Sequence, residues 1–328
     1  MRYRKLGKTG FNISEVSLGT WQVGGGWGGS FDGKAADKIL NAAIDNGVNF
    51  LDTADVYDAG MSEEAVGKLL KSRSEDIFVA TKCGRQINPH VNEGYTPAAL
   101  RTYVEVSLKN MQLETLDLIQ LHCPPTEVFQ RDEIFELFER LKDEGKIRNM
   151  GVSVEKVMEA ELAIQYSNVT TVQIIFNMFR QKPAETFFAK AKTKNVGIIA
   201  RVPLASGMLS GKMTLSRKFD ENDHRNFNRE GKAFDKGETF SGVDFEKGLT
   251  AVEELKDIFS GVEPLAKWAL RWILMFDEVS TVIPGASREG QVIDNINAAG
   301  LPELSTEQMT AVKSVYEKYI KADVHQLW

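Results

Sequence analysis

The sequence has few of the residues on which secreted, disulfide-rich and membrane-spanning proteins depend. Its two cysteines, Cys83 and Cys123, lie in apolar runs and give no disulfide framework, which favours a reducing compartment. No apolar segment approaches the roughly 18 residues that a membrane span needs. The opening MRYRKLGKTG has basic residues but no apolar stretch after them, so we expect no signal peptide and a cytoplasmic location.

Positive charge and histidine are scarce as well. The chain carries 40 Lys and Arg against 46 Asp and Glu, and its net charge of −6 argues against a nucleic-acid or anionic-membrane surface. Metal-dependent barrel hydrolases usually gather several histidines and acids at one site. Of the four histidines here, His90, His122, His224 and His325, only His122 ends a strand-like run, so we expect no metal site.

Strand-like and helix-like segments alternate along the chain. Continuously apolar runs such as IFVATK, LDLIQLH and VGIIARV are typical of parallel strands that are buried on both faces. Eight such strands alternating with amphipathic helices predict a closed (β/α)8 TIM barrel, an α/β fold, whereas an open doubly wound sheet usually has fewer strands. We predict the strands at residues 14–19, 48–53, 77–82, 116–122, 147–153, 171–176, 197–202 and 279–284. We predict the helices at residues 34–46, 61–72, 97–111, 131–144, 155–165, 184–194, 246–259 and 262–276.

Three segments fall outside this alternation. Residues 3–13 predict an N-terminal β-hairpin that closes the floor of the barrel. Residues 211–245 form a long polar stretch after the seventh strand, and an insertion of that length is usually a lid or a binding loop. A capping box at Ser305 predicts an extra C-terminal helix. Because no internal repeat or low-complexity linker interrupts the chain, we predict that residues 1–328 form a single domain.

A glycine-rich stretch after the first predicted strand formally matches the GxGxxG dinucleotide-binding fingerprint. Its glycines are Gly24, Gly26 and Gly29, within GGGWGG. The fingerprint requires a helix that opens on the third glycine, whereas the next predicted helix begins only near Lys34. We therefore interpret the stretch as a flexible loop at the barrel mouth, with Trp27 as a candidate wall of a ligand pocket.

Reactive side chains follow three consecutive predicted strands. The second strand ends with Asp52 and Tyr57, the third with Lys82 and the fourth with His122. Each residue alone has a structural explanation, as a turn cap, a loop aromatic, a solvated amine or a core histidine. Lys82 follows a buried strand, where an unpaired ammonium is costly, so we expect Asp52 to be its partner. Because active sites of such barrels lie at the C-terminal strand ends, the four side chains should converge on one mouth.

An acid, a phenol, an amine and an imidazole at one mouth suit carbonyl reduction. Hydride attack on a carbonyl builds negative charge on the oxygen, which must then receive a proton. A tyrosine hydroxyl is a poor acid at neutral pH because its pKa is about 10, and a neighbouring ammonium lowers that pKa by stabilising the phenolate. We expect Asp52 to keep Lys82 charged, and His122 to donate a hydrogen bond to the substrate oxygen.

The ordered pattern LDTADVY, then ATK, then LIQLH strongly resembles the aldo-keto reductase family, and the resemblance runs over nearly the whole chain. It implies an NADP(H)-dependent oxidoreductase that reduces an aldehyde or ketone to the alcohol. The implied catalytic residues are Asp52, Tyr57, Lys82 and His122, with Tyr57 as the proton donor. The implied substrate is a small-molecule carbonyl compound in contact with Trp21, Tyr57 and His122.

The resemblance also implies where NADP(H) binds. A guanidinium is an always-charged, bidentate donor to phosphate, so Arg288 with Ser287 at the ribose 2′-phosphate favours NADPH over NADH. The alternative for Arg288 is a solvated charge in the first turn of a helix predicted at 288–299. The polar stretch 211–245 is similar to a loop that covers the cofactor pyrophosphate in some members. The implied cofactor residues are Ser153 and Gln173 at the carboxamide, Arg201 beside the nicotinamide, Pro203, Leu204, Ser206, Gly207, Leu209 and Lys212 at the pyrophosphate, and Gly285, Ser287, Arg288, Gln291 and Asn295 at the adenosine end.

Two positions depart from the family pattern. Val154 stands where many members have an asparagine that contacts the nicotinamide. Arg201 stands where many members have an aromatic residue that stacks on the nicotinamide. A guanidinium can also stack on a ring, but it adds positive charge beside a cofactor that is cationic when oxidised. We expect altered cofactor affinity or reduction balance, and no loss of activity.

A second function stays open at this point. Some relatives serve as accessory subunits of channels, so the chain could be a non-catalytic NADP-binding subunit with a redox-sensing or regulatory role. The intact tetrad and the lack of an added interaction domain weigh against that alternative. The sequence favours no oligomeric state.

Overall fold

The computed structural model describes residues 1–25, 30–259, 261 and 263–328. Gly26, Trp27 and Gly29, which the glycine-rich motif and the pocket prediction involve, lie outside the described residues. Each of the eight predicted strands is present, and the predicted hairpin adds two more. The strands are β1 (Tyr3–Lys5), β2 (Asn12–Ser14), β3 (Leu18–Gly19), β4 (Phe50–Asp52), β5 (Phe78–Cys83), β6 (Leu116–His122), β7 (Ile147–Val154), β8 (Val169–Ile175), β9 (Gly197–Arg201) and β10 (Val279–Val282).

Some of the helices begin where a side chain supplies a capping group. Asp32 accepts hydrogen bonds from two backbone N–H groups of the first helix, and Thr96 caps the third. The predicted capping box of Ser305 with Gln308 is confirmed. The helices are α1 (Gly33–Asp45), α2 (Met61–Ser72), α3 (Pro97–Met111), α4 (Asp132–Asp143), α5 (Val157–Ala163), α6 (Phe187–Thr193), α7 (His224–Phe227), α8 (Phe245–Ile258), α9 (Leu265–Ile273), α10 (Glu289–Asn297), α11 (Thr306–Tyr319) and α12 (Lys321–Val324).

Strands β3 to β10 form one parallel sheet in chain order. Its two edges meet, because the N–H of Ser17 donates to the carbonyl of Val282 at 2.9 Å and the N–H of Gly19 donates to that of Pro284 at 3.1 Å. Closure removes the unpaired sheet edges. The result is a (β/α)8 barrel, which confirms the fold expected from the alternation of strands and helices.

The hairpin β1–β2 closes the N-terminal end of the barrel. Leu6 and Ile13 are fully buried, and they pack in one cluster with Phe50, Ala80 and Leu118 of the barrel strands. Burying a large apolar side chain stabilises the folded state by about 1.5–3 kcal/mol. The hairpin therefore covers the end of the barrel opposite the C-terminal strand ends, as the sequence predicts.

Two further segments lie outside the regular alternation. The polar stretch 211–245 joins β9 to α8 and contains the short helix α7. The helices α11 and α12 follow the last barrel unit, and α11 packs on α8. In the described part of the chain, no helix combines the length and apolar character that crossing a membrane requires.

Candidate active site

The side chains of the four predicted catalytic residues meet at the C-terminal mouth of the barrel. The ammonium of Lys82 donates to Asp52 Oδ2 at 2.6 Å and to Tyr57 Oη at 3.2 Å. Its third hydrogen bond goes to the carbonyl of Thr53 at 2.8 Å. The rings of Tyr57 and His122 lie edge to face, with their centroids 6.1 Å apart. The ends of β4, β5 and β6 thus bring an acid, an amine, a phenol and an imidazole together.

Asp52 is the centre of a buried polar network inside the barrel. Besides Lys82, its carboxylate accepts hydrogen bonds from Gln173 Nε2 at 2.6 Å and from Gln120 Nε2 at 3.3 Å. Gln120 precedes His122 by two residues on β6, so both side chains lie on the same face of the sheet. Gln120 was not among the predicted site residues, although its two-residue spacing from His122 could have indicated that it lies on the same face of β6. The network fixes the carboxylate that orients Lys82.

The protonation of Tyr57 is set by burial more than by its charged neighbours. Burial raises the pKa of the Tyr57 hydroxyl above its ordinary value, and Lys82 lowers that pKa by less. The net lowering expected from the sequence is therefore wrong, because the phenol loses its hydration when the site folds. Burial lowers the pKa of Lys82, but Asp52 and Tyr57 raise it by more. At neutral pH a protonated phenol thus faces a charged ammonium.

His122 is a neutral imidazole at this site. Burial holds its pKa well below the ordinary value, and the nearby charges of Lys82, Arg85 and Arg201 lower that pKa further. A neutral ring carries one N–H, which can donate a single hydrogen bond. The buried Nδ1 has no hydrogen-bond partner among the described residues. His122 can therefore act as a hydrogen-bond donor without adding charge to the mouth.

Aromatic side chains form one wall beside the tetrad. The ring of Trp21 stacks on Tyr57 with centroids 6.0 Å apart. His224, on α7 of the 211–245 stretch, lies 5.3 Å from the Trp21 ring, and Phe234 lies 6.4 Å from His224. The sequence points to Trp21 and to the 211–245 stretch as a lid or binding loop, but no local pattern shows that His224 and Phe234 are the side chains of that stretch near Trp21.

The predicted carboxamide contacts lie in one row beside the tetrad. Ser153 on β7 is in register with His122 on β6 and with Gln173 on β8. Ser153 and Gln173 are each 1% exposed, and Ser153 Oγ lies 3.5 Å from Cys123 Sγ. The amide nitrogen of Gln173 is committed to Asp52. Its Oε1 is the atom that could accept a hydrogen bond from a carboxamide.

Arg201 ends β9 with a buried and mostly bonded guanidinium. It donates to the carbonyl of Val154 at 3.1 Å and lies 3.5 Å from Cys123 Sγ. Its Nη1 forms an ion pair with Glu238 Oε1 at 3.1 Å, and the two side chains are 9% and 15% exposed. Burial lowers the pKa of Arg201, but Glu238 and the smaller effects of its other acidic neighbours together raise that pKa by more. Arg201 also lowers the pKa of Glu238 against the effect of burial, so the pair is fully charged at neutral pH.

The predicted pyrophosphate segment, residues 202–212, is tied to the 211–245 stretch. Ser206 Oγ donates to the carbonyl of Glu238 at 2.9 Å and accepts from the N–H of Phe240 at 3.1 Å. A single serine thus holds the backbone on both sides of residue 239. In the same segment Pro203 and Leu209 are buried, Leu204, Ser206 and Gly207 are partly exposed, and Lys212 is exposed.

The predicted adenosine residues follow β10 and begin α10. Arg288 is exposed, and its guanidinium makes no ion pair or hydrogen bond with any described residue. Gln291 Oε1 accepts hydrogen bonds from the N–H of Ser287 at 2.8 Å and from its hydroxyl at 3.1 Å. Asn295 Nδ2 donates to the carbonyl of Gly285 at 3.3 Å. An uncommitted guanidinium beside a serine hydroxyl fits a phosphate ester, so these residues fit the adenosine end of NADP(H).

Three potential metal-ligating side chains that the sequence analysis did not single out lie beside Arg201. The ligand atoms of Cys123, Glu155 and Glu238 lie within 4.8 Å of one another. Burial raises the pKa of Cys123 to about 12, and burial together with Glu238 raises the pKa of Glu155 to about 7. A metal would need the thiolate, and the charge of Arg201 already balances Glu238. We therefore interpret these three side chains as the environment of the buried Arg201 guanidinium and not as metal ligands.

Comparison with known proteins gives one family. The model described as "Aldo/keto reductase family" matches residues 15–317. The chain is 31% identical to "Uncharacterized oxidoreductase YqkF" of Bacillus subtilis, over 99% of each chain. It is 30% identical to "Aldo-keto reductase YhdN" of the same organism, over 99% of this chain and 96% of that protein. It is also 29% identical to "Probable voltage-gated potassium channel subunit beta" of Oryza sativa, over 97% of each chain.

Solved structures give the same family. The glycerol dehydrogenase AKR11B4 from Gluconobacter oxydans has a TM-score of 0.78 and 30% identity, with 97% of this chain and 96% of that one covered. The holo form of the aldo-keto reductase AKR11C1 from Bacillus halodurans has a TM-score of 0.77 and 28% identity, with 96% of each chain covered.

Proposed function

The chain belongs to the aldo/keto reductase family of oxidoreductases, and from that premise we propose that it reduces an aldehyde or ketone to the alcohol with NADPH. The observation that carries the proposal is the 3.2 Å contact between Lys82 Nζ and Tyr57 Oη at the strand ends, with Asp52 Oδ2 2.6 Å from the same ammonium. A protonated phenol, a fixed cation and a neutral imidazole are what a carbonyl oxygen needs as it gains negative charge.

Each residue has one step in this proposal. When bound, the nicotinamide supplies a hydride to the carbonyl carbon. Tyr57 gives its proton to the carbonyl oxygen, and Lys82 stabilises the phenolate that this leaves. His122 donates a hydrogen bond to the same oxygen and orients the substrate. Asp52 positions the ammonium, because its Oδ2 accepts a hydrogen bond from Lys82 Nζ at 2.6 Å.

Residues at the ends of successive strands, from β7 to β10, would hold successive parts of NADP(H). Ser153 and Gln173 would bind the carboxamide, the segment 202–212 the pyrophosphate, and Arg288 with Ser287 the 2′-phosphate. The stretch 211–245 would then cover the cofactor, which its two hydrogen bonds to Ser206 support. Trp21 would contact the substrate, since its ring lies on Tyr57.

We expect Tyr57→Phe to lower kcat for an aromatic aldehyde by at least about a hundredfold, because a positioned general acid contributes a factor of this size. The dissociation constant for NADPH should stay unchanged. The matched control is Tyr319→Phe, whose hydroxyl bonds Glu254 at 2.8 Å on the outer helices and which should keep full turnover. The measurement is NADPH oxidation at 340 nm over a panel of aldehydes, ketones and sugars, with nucleotide binding followed separately. Full activity of Tyr57→Phe would refute the assignment of the acid.

A non-catalytic regulatory subunit is the second candidate, and the similarity to a probable potassium channel subunit beta favours it. In that case the protein would bind NADPH without turning over a carbonyl substrate. The same panel separates the two candidates, because binding without turnover across all substrates contradicts the reductase and supports the subunit.

A further inference from the structure

Arg201 creates a charge problem for the proposed cofactor site. The residue ends β9 directly before the proposed pyrophosphate segment, and only 7% of it is exposed. The oxidised nicotinamide ring carries a positive charge and the reduced ring carries none. Two like charges close together in a partly buried site repel strongly, because water screens them poorly there. An unbalanced Arg201 would therefore disfavour the oxidised cofactor selectively.

Glu238 supplies the opposite charge at a defined place. Its Oε1 lies 3.1 Å from Arg201 Nη1. Ser206 holds the carbonyl of Glu238 and the N–H of Phe240, so the backbone that carries the carboxylate is fixed. Arg201 is fixed in turn by its bond to the carbonyl of Val154. The pair joins the end of a barrel strand to the 211–245 stretch.

The other charged groups around Arg201 are not its direct ion-pair partners. Glu155 raises the pKa of Arg201 less than Glu238 does, and its carboxylate forms an ion pair with Arg85 at 3.5 Å. Asp235 raises the pKa of Glu155 and Arg180 lowers that of Glu238, but Asp235 forms no ion pair with Arg201 among the described residues. Glu238 is thus the acid that contacts the Arg201 guanidinium directly among the described residues.

We propose that Glu238 is the internal counterion that lets this chain hold oxidised NADP⁺ beside Arg201, and so sets the relative affinity for the two oxidation states of the cofactor. The inference rests on the proposed function, since it assumes that a nicotinamide nucleotide binds at this mouth. Glu238 acts through Arg201 and is therefore a positioning residue. It need not touch the substrate.

The test is the ratio of the dissociation constants of NADP⁺ and NADPH, measured for the apoprotein by quenching of tryptophan fluorescence. Glu238→Gln keeps the size of the side chain and removes its charge. We expect the ratio, NADP⁺ over NADPH, to rise by about tenfold or more, because the two ligands differ by one charge at a partly buried site. Glu238→Asp should restore most of the wild-type ratio. In the double variant Arg201→Gln with Glu238→Gln, both charges are absent and the ratio should return towards that of the wild type.

Glu230→Gln is the matched control, because Glu230 lies in the same stretch and pairs with Lys236 in an exposed position. It should leave the ratio unchanged. An unchanged ratio in Glu238→Gln would overturn the proposal, as would a raised ratio that persists in the double variant. If the wild-type protein binds neither nucleotide, the proposed function fails with it. Binding of both nucleotides with an unchanged ratio in Glu238→Gln would contradict the counterion alone.

Discussion

At the scale of single residues, the site contains buried charges of two kinds. Lys82 and Asp52 are 1% and 2% exposed, and each has the other as a partner at 2.6 Å. Asp55 is also 1% exposed, but the charged residue with the largest effect on its pKa is Glu63, which carries a like charge. Burial and Glu63 raise the pKa of Asp55 to about 7, and Lys82 offsets only part of this rise. Asp55 is therefore a residue whose ionisation costs stability.

Asp55→Asn should change the pH dependence of the free energy of unfolding. In the unfolded chain an aspartate has a pKa of about 3.9, so between about pH 4 and pH 7 the unfolded state loses a proton that the folded state keeps. The wild type should thus lose stability as pH rises through this window, and the loss should be complete above the folded pKa of about 7. We expect the stability of Asp55→Asn relative to the wild type to grow by about 2–4 kcal/mol between pH 4.5 and pH 8. The measurement is urea unfolding at both pH values.

Asp37→Asn, an exposed position on α1, provides the comparison for this experiment. Its side chain lies at the surface, so this substitution should change the free energy of unfolding little. A stability difference for Asp55→Asn that stays constant between the two pH values would contradict the raised pKa.

At the scale of elements, α2 and α3 approach each other closely enough for their backbones to touch. A Cβ on Gly67 of α2 would lie 2.3 Å from the carbonyl oxygen of Met111, the last residue of α3. Both atoms belong to rigid backbone, so neither can move aside cheaply. Val66 and Leu69 on the same helix are buried in the core. The missing side chain of Gly67 is what lets the two helices pack at this distance.

Gly67→Ala should therefore destabilise the protein by about 1–3 kcal/mol, which is the usual cost of overpacking. Helix propensity alone predicts the opposite sign, because alanine in a helix is favoured over glycine by about 1 kcal/mol. Gly290→Ala on α10 is the matched control, since a Cβ there would have no heavy atom within 4 Å, and it should be neutral or stabilising. Thermal unfolding of the two variants checks the difference. Equal stabilities would show that the helices can separate without cost.

At the scale of the whole molecule, barrel closure decides which residues share a site. The bridge between Gly19 and Gly285 places the segment after β10 beside β3, the first strand of the barrel. Asp52, on the neighbouring strand β4, is in register with Gly19 and so lies two strands from Gly285, although 233 positions (285 − 52) separate them in the chain. Closure thereby brings the segment that carries Arg288 to the same mouth of the barrel as the tetrad.

Arg288→Gln should raise the dissociation constant for NADPH by about tenfold or more and leave that for NADH nearly unchanged. The reason is that only NADPH carries the 2′-phosphate, and a charge-assisted hydrogen bond contributes about 1.5–3 kcal/mol. Arg140→Gln on the outer helix α4, where Arg140 lies near Glu136, should change neither constant. Equal weakening of both nucleotides would contradict a 2′-phosphate contact and favour the solvated charge that was the alternative.

The sequence by itself determined the alternation of strands and helices and the order of Asp52, Tyr57, Lys82 and His122, because periodicity and strand ends are local features of the chain. It also predicted the hairpin and the capping box at Ser305. The buried partners of those residues could not be predicted in the same way. Gln120 could have been found from its spacing to His122, but nothing local pointed to Glu238.

Only the tertiary structure decided which charges meet and what burial does to them. Glu238 reaches Arg201 across 37 positions because the 211–245 stretch folds back onto the end of β9. The net rise in the pKa of Tyr57 likewise depends on how much water the folded mouth excludes. Local patterns fix where a strand begins and ends, whereas desolvation and ion pairing depend on distances between residues that the sequence keeps far apart.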